Sequence, residues 1–197
     1  MSIDFNTCRV TKAGNIITPK ARMGFPTLFT PRTAPGSDKA KYSVSLVIPD
    51  KADITLLKKA AADAAKAKWG DKLPAKLKTP FLKAGECEGD KGKHFPDELD
   101  AWIVLRPTSL QQPGIVDARG QNVTDEKEVY AGRWCVASLR AFAYDTNGNK
   151  GVSFGLQNVQ ILDNDEAWGG MRARAEDEFE PVDGASGAAK GGDSIFD

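Results

Sequence analysis

The chain has 197 residues, 41% of them hydrophobic, enough for one domain with a sizeable core and an accessory segment. Its 27 Lys and Arg balance 27 Asp and Glu; no continuous apolar run opens the chain and no window approaches the roughly 18 apolar residues of a membrane span, so a soluble, non-secreted protein is expected. Cys8, Cys87, Cys135 and the single His94 are too scattered for a disulfide framework or a zinc site, which fits a reducing cytoplasm with no metal or other cofactor.

Residues 3–18 read as loosely strand-like. Residues 24–35 are rich in proline and aromatics (Phe25, Pro26, Phe29, Pro31, Pro35), which predicts an extended segment or loop and excludes a helix. Residues 42–48 alternate, with Tyr42, Val44, Leu46 and Ile48 on one face and Ser43, Ser45 and Val47 on the other, and Pro49 ends this predicted strand. Residues 53–69 are the one clear helix: Asp53 serves as N-cap, Ile54, Leu57, Ala61, Ala64 and Lys68 form one stripe, and Gly70 closes it. Its lysines either solvate the outer face or meet a polyanion. Residues 70–96 form a long polar connection carrying Lys72, Lys76, Lys78, Lys83, Lys91 and Lys93, a length that points to a functional or mobile loop rather than a structural one.

Further strand signals lie at 101–106, 114–116, 130–144 and 151–162. Asn147 and Gly148, between the last two, predict a tight hairpin because both tolerate positive φ. Several strands, one helix and no βαβ alternation predict a mainly β fold, a small antiparallel barrel or sandwich. After Asp163 the composition turns to Asp, Glu, Gly and Ala, too poor in apolar residues to offset an ordering entropy of about 1–2 kcal/mol per residue, so a disordered tail is expected over 163–197.

Dividing the chain there uncovers a charge asymmetry. Residues 1–162 carry 24 basic and 17 acidic residues, a net +7, and residues 163–197 carry 3 and 10, a net −7. Such a tail either solubilises the protein or occupies an anion-binding surface until a polyanion displaces it. Ile195, Phe196 and Asp197 are candidate partner-binding residues, since solubility alone does not call for two apolar side chains at the end of an acidic segment.

The run 130–144 has two unlike faces. Trp134, Val136, Ser138, Arg140, Phe142 and Tyr144 are on one; Arg133, Cys135, Ala137, Leu139, Ala141 and Ala143 are on the other. Trp102, Val104 and Arg106 repeat the aromatic and arginine pairing. Aromatic faces can stack on unpaired bases, about 1–3 kcal/mol per base, while Arg and Lys neutralise phosphates, which is what sequence-tolerant binding of single strands requires. Trp102, Trp134 and Phe142 fit a core equally well; Arg106 and Arg140 are harder to bury. The segment from Arg22 through Phe25 to Phe29 suits either stacking beside a cation or a plug under a barrel end. With Lys41, Tyr42, Lys83, Lys91, Lys93, Arg133, Tyr144 and Lys150 these complete the candidate DNA-binding set. No GxSxG, HExxH or phosphate-cradling glycine loop occurs, and no catalytic residue is assigned. The carboxylates of Glu86, Glu88, Asp90, Asp97, Glu98 and Asp100 would have to gather for a metal-dependent nuclease; a solvated loop explains them more simply.

Tyr130-Ala131-Gly132, then Ala141-Phe142-Ala143-Tyr144-Asp145 and the segment GNKGVSFGLQNVQ from Gly148 to Gln160, resemble a family of tailed-phage single-stranded DNA-binding proteins, formerly known only as a phage domain of unknown function. Residues 18–31, the alanine-rich helix and the acidic stretch 175–180 sit where that family has them. The resemblance implies an elaborated OB-fold, single-stranded DNA bound on the barrel face, and work in phage DNA replication or recombination in the host cytoplasm. It also implies an acidic tail ending near an aromatic residue and used to contact phage or host replication proteins. Phe196 matches, whereas no proline precedes it and Asp197 follows it. The sequence leaves a homodimer open. The rival expectation is a phage structural or assembly-accessory protein with a solubilising tail.

Overall fold

The computed structural model describes residues 3–34, 36–89, 92–146 and 148–168. β1 (Arg9–Val10) and β2 (Ile16–Ile17) form a short hairpin, and β3 (Ala21–Thr33) and β4 (Ala40–Ile48) a long one. After α1 (Thr55–Trp69) come the short strands β5 (Leu82–Lys83), β6 (Glu88–Gly89), β7 (Gly92–Lys93), β8 (Ile103–Leu105), β9 (Thr108–Ser109) and β10 (Gly114–Val116). The hairpin β11 (Trp134–Thr146) and β12 (Asn149–Ile161) follows.

β3 pairs with β4 and β11, β11 with β12, β12 in parallel with β9, and β9 with β4. The hydrogen bonding therefore runs round a closed ring, and closure removes the free edges that an open sheet would expose. This is the expected elaborated OB-type barrel, extended by β10 on β12, by β1 and β2 beside β11, and by β8 and β5 beyond β4. Thr146 pairs with Asn149, so the turn has the two residues predicted, and Gly148 adopts φ +80°.

The two faces of β11 explain where the core lies. Cys135, Ala137 and Leu139 point inward among Met23, Leu28, Val44, Leu46, Ile48, Phe154 and Leu156, all buried. Burying each larger side chain contributes about 1.5–3 kcal/mol. The small inward residues of β11 leave room for α1, which packs across β11 and β12. Its buried stripe is Leu57, Ala61 and Ala65, spaced four apart, rather than the expected Ala64 and Lys68. Asp53 does not cap as the first flanking residue; its carboxylate accepts the Thr55 N–H at 2.9 Å. Gly70 closes the helix as expected, its N–H donating to Lys66 O at 2.8 Å.

Residues 24–33 are extended, as expected, and belong to strand β3, with register shifts between Gly24 and Thr27 and between Thr27 and Arg32 that absorb the two prolines. One expectation changes. The connection 70–96 is largely structural: Ala84, Cys87, Phe95 and Leu99 cover the outer face of β4 and β8 at Val47 and Val104, forming a second apolar layer. Val47 is consequently as buried as Val44 and Leu46, because both faces of β4 are covered.

Candidate nucleic-acid interface

β3 and β11 meet where Trp134 pairs with Arg22. Opposite residues in an antiparallel pair share a face, so the Arg22 guanidinium reaches the Trp134 ring at 5.2 Å and the Lys20 ammonium reaches it at 4.6 Å. Trp102, just before β8, lies 6.1 Å from Trp134, its ring tilted by 38°. Trp168 brings a third indole, 5.1 Å from Arg22 and 5.7 Å from Phe95. Phe95 touches Phe25 at 5.7 Å, and Phe25 touches His94 at 5.1 Å. Aromatic rings and cations thus form one continuous row across the outside of the barrel.

Residues 163–168, counted with the tail by composition, lie against this row. Asp163 pairs with Lys20 at 2.7 Å and Asp165 with Arg22 at 2.8 Å. The Trp134 indole N–H donates to Asp165 at 2.7 Å, Arg22 Nη2 donates to Glu166 O at 3.0 Å, and the Trp168 N–H donates to Ala131 O at 2.9 Å. The Glu166 backbone N–H, the Trp134 indole and the Arg22 and Lys20 charges hold the Asp165 carboxyl below its ordinary value of 3.8. Gly132, at φ +101°, admits the segment: the Glu166 carbonyl and Trp168 amide occupy the space a Cβ would need.

Phe25 is the one non-glycine residue among those described with positive φ, at +44°, and it precedes a proline. It is also 52% exposed. A strained backbone presenting an apolar ring to solvent costs about 1–3 kcal/mol, and such strain concentrates at binding sites. The second register shift leads to Arg32 and Lys41, which are paired directly across β3 and β4 and both exposed. Like charges opposite one another are destabilising unless an anion joins them.

The far part of the outward face of β11 carries exposed Arg140 and Phe142, the latter 43% exposed and 6.5 Å from Tyr144. Lys150 pairs with Asp145 at 3.4 Å, and Lys78 with Asn149 at 2.8 Å. Arg106, just after β8, and Lys83, on β5, are exposed, while Tyr42 is half-buried opposite Ser109. Phe29 leans on the main core, which favours the plug reading. Arg133 is corrected: only 8% exposed, it donates to the Glu128 carbonyl and carboxylate and to Leu162 O, and its position beside Tyr130 fastens the body internally. Lys91, Ile195, Phe196 and Asp197 lie outside the described residues, as does the Lys93 side chain. Lys20, Arg32, His94, Phe95 and Trp168 are the members that sequence reasoning misses. A lone tryptophan in an acidic segment was the available signal for the last.

Burial pushes the Cys8 thiol up to about 11 and the Cys135 thiol up to about 12, so neither supplies a thiolate nucleophile. Among the described residues no three His, Cys, Asp or Glu side chains gather as a metal requires, and no helix is long and apolar enough to cross a membrane.

A family profile described as the single-stranded DNA-binding protein of Enterobacter phage Enc34 matches residues 14–189. Among solved structures, the single-stranded DNA-binding protein of bacteriophage Enc34 in complex with single-stranded DNA superposes with a TM-score of 0.67 at 18% identity, covering 86% of this chain and 96% of that one. A further structure of the single-stranded DNA-binding protein of bacteriophage Enc34 gives 0.65 at 19%, covering 91% and 97%. A single-stranded DNA-binding protein of bacteriophage T7, gp2.5, gives 0.50 at 16%, covering 80% and 96%. No curated protein matches.

Proposed function

This chain belongs to the Enc34 family of phage single-stranded DNA-binding proteins, and from that premise we propose that its barrel binds single-stranded DNA with little sequence preference during phage DNA replication and recombination in the host cytoplasm. The observation that carries the reading is the cluster of rings and cations formed by Lys20, Arg22, Trp134 and Trp102, which Trp168 and the buried Phe95 connect to the exposed Phe25. Rings spaced along a path and interleaved with cations suit a ligand that alternates bases and phosphates, and no base edge need be read. Arg32 and Lys41 at one hairpin and Arg140, Phe142, Tyr144 and Lys150 at the other extend the path in both directions.

The reading assigns two tasks to residues 163–197. Their net −7 competes with DNA for the basic face, and Ile195, Phe196 and Asp197 recruit a phage or host replication protein. The Enc34 protein whose complex contains single-stranded DNA supports the first half of the reading by likeness of fold.

The test is fluorescence anisotropy with labelled single-stranded and duplex oligonucleotides at two salt concentrations. With five phosphates neutralised, the salt slope is about 3.5, so affinity falls about 100-fold between 50 and 200 mM salt. Binding that ignores salt, or no binding at all, would return the protein to the assembly-accessory class. Phe196→Ala tests the tail: capture of a replication protein is lost while affinity for DNA stays unchanged.

A further inference from the structure

In the β11–β12 hairpin, large side chains on one strand face bare backbone on the other. The register sets Arg140 opposite Gly155, Phe142 opposite Ser153 and Tyr144 opposite Gly151, and opposite residues share a face. That face is the outer one, because Leu139, next to Arg140, and Phe154 and Leu156, on either side of Gly155, are buried in the core. Two of the glycines of β12 and its turn have a reason within the fold. Gly148 makes the turn at φ +80°, and the Tyr144 ring lies where a Gly151 side chain would stand. Gly155 has neither reason. Its φ is not positive, and a Cβ there would meet only the Gln157 amide nitrogen at 3.6 Å and the Arg140 carbonyl at 3.7 Å, both ordinary contacts. The bulge in β12 falls at Gln157, which the register passes over, and not at Gly155. Glycine inside a strand weakens it, so a glycine that packing does not require marks a place where another molecule comes close to the backbone.

The groups around this bare peptide are those a nucleotide needs. Arg140 is exposed and pairs with no carboxylate among the described residues. Phe142, 43% exposed, is the diagonal neighbour of Gly155, a spacing of roughly 7–8 Å that an aromatic side chain can bridge. We propose that Gly155 is the floor of a nucleotide subsite, in which one base of the bound single strand lies against the β12 peptide with its edge on the Phe142 ring and its phosphate on Arg140. The proposal rests on the DNA-binding reading and adds to it a position where the strand touches backbone. The subsite is separate from the Lys20, Arg22 and Trp134 cluster. Every base has a flat face, so contact of this kind selects for shape and not for sequence.

The experiment compares the full-length parent with Gly155→Leu, Arg140→Gln and the double variant, binding a labelled oligothymidylate by anisotropy over a range of salt, with thermal unfolding of each protein. Gly155→Leu is expected to bind about 5- to 150-fold more weakly, the loss of one base contact, with a melting temperature no lower than the parent's. Although it changes no charge, it is expected to reduce the salt slope by about 0.7, because the phosphate leaves Arg140. In the Arg140→Gln background, where that phosphate contact is already gone, it reduces the slope no further. If Gly155→Leu melts below the parent, Gly155→Val, whose β-branched side chain suits a strand, takes its place in the same comparison. Parent-like affinity, or weaker binding with an unchanged salt slope, would overturn the subsite while leaving DNA binding intact. If the parent itself does not bind, the DNA-binding reading falls, and the subsite with it.

Discussion

Replacing Gly132 with alanine separates backbone strain from the docking of residues 163–168. At φ +101° a residue with a side chain pays about 1–3 kcal/mol wherever its neighbours are. The new Cβ would also run into the Glu166 carbonyl and come within 3.1 Å of the Trp168 amide nitrogen and 3.3 Å of the Ala167 Cα. These are backbone atoms that cannot swing aside, and overpacking of this kind costs about 1–3 kcal/mol more. The second cost has a ceiling, because the segment can leave and forfeit only its own docking energy. Gly132→Ala is therefore expected to lose about 2–6 kcal/mol in the parent and about 1–3 kcal/mol in an Asp165→Asn/Trp168→Ala background, where the segment is already loose. Urea unfolding of the four proteins measures the difference. An equal loss in both backgrounds would mean that the segment does not rest on Gly132, and the reasoning would fail.

Phe25→Gly relieves the strain at φ +44° but gives up the half of the ring packed on Phe95 and His94, so stability should change little, while oligonucleotide binding should weaken by about 5- to 150-fold if the ring stacks on a base; thermal unfolding and anisotropy on the same samples check both. Arg140→Gln should weaken binding to all sequences alike and reduce the salt slope by about 0.7, whereas Arg133→Gln should lower the melting temperature through its lost internal bonds. Because Asp165 titrates below its ordinary 3.8 when the segment is docked, its contribution is complete above that value and is lost as pH falls through the lowered one. Tryptophan fluorescence should accordingly stay flat from neutral pH to about 5 and change only under stronger acid. Alkylation of native protein by a thiol reagent at neutral pH should be slow at Cys8 and Cys135 and become fast in denaturant.

What the sequence makes legible is local. The hairpin of β11 and β12 announces itself through Asn147 and Gly148, and the unequal faces of β11 are visible in the sequence, but which face turns inward is not, because Trp134 and Phe142 suit a core as well as Ala137 and Leu139 do. The row of rings is harder. Trp134, Arg22 and Trp102 are each recognisable as candidates, yet only the pairing of β3 with β11 and of β4 with β8 brings them together. Cys87, Phe95 and Leu99 stand as isolated apolar residues in a lysine-rich stretch, with no periodicity to mark them as a second layer. Residues 163–168 are the plainest case: Asp163, Asn164, Asp165 and Glu166 have the composition of a solvated tail, and their seat depends on Lys20, Arg22 and Gly132, which are far away along the chain. Composition reports what a segment can bury by itself, not what another part of the fold offers it.

The closed ring also bears on how the chain is made. β12 joins β11, β9 and β10, and without it neither β11 nor β9 completes the circuit with β3 and β4. A ribosome must therefore release residues through Ile161 before the barrel can close, and until then the β3–β4 hairpin waits with an open edge. Contacts so distant in sequence slow folding and lengthen exposure to aggregation. The interval during which that edge stays open is set by how long synthesis takes to pass from β4 to Ile161.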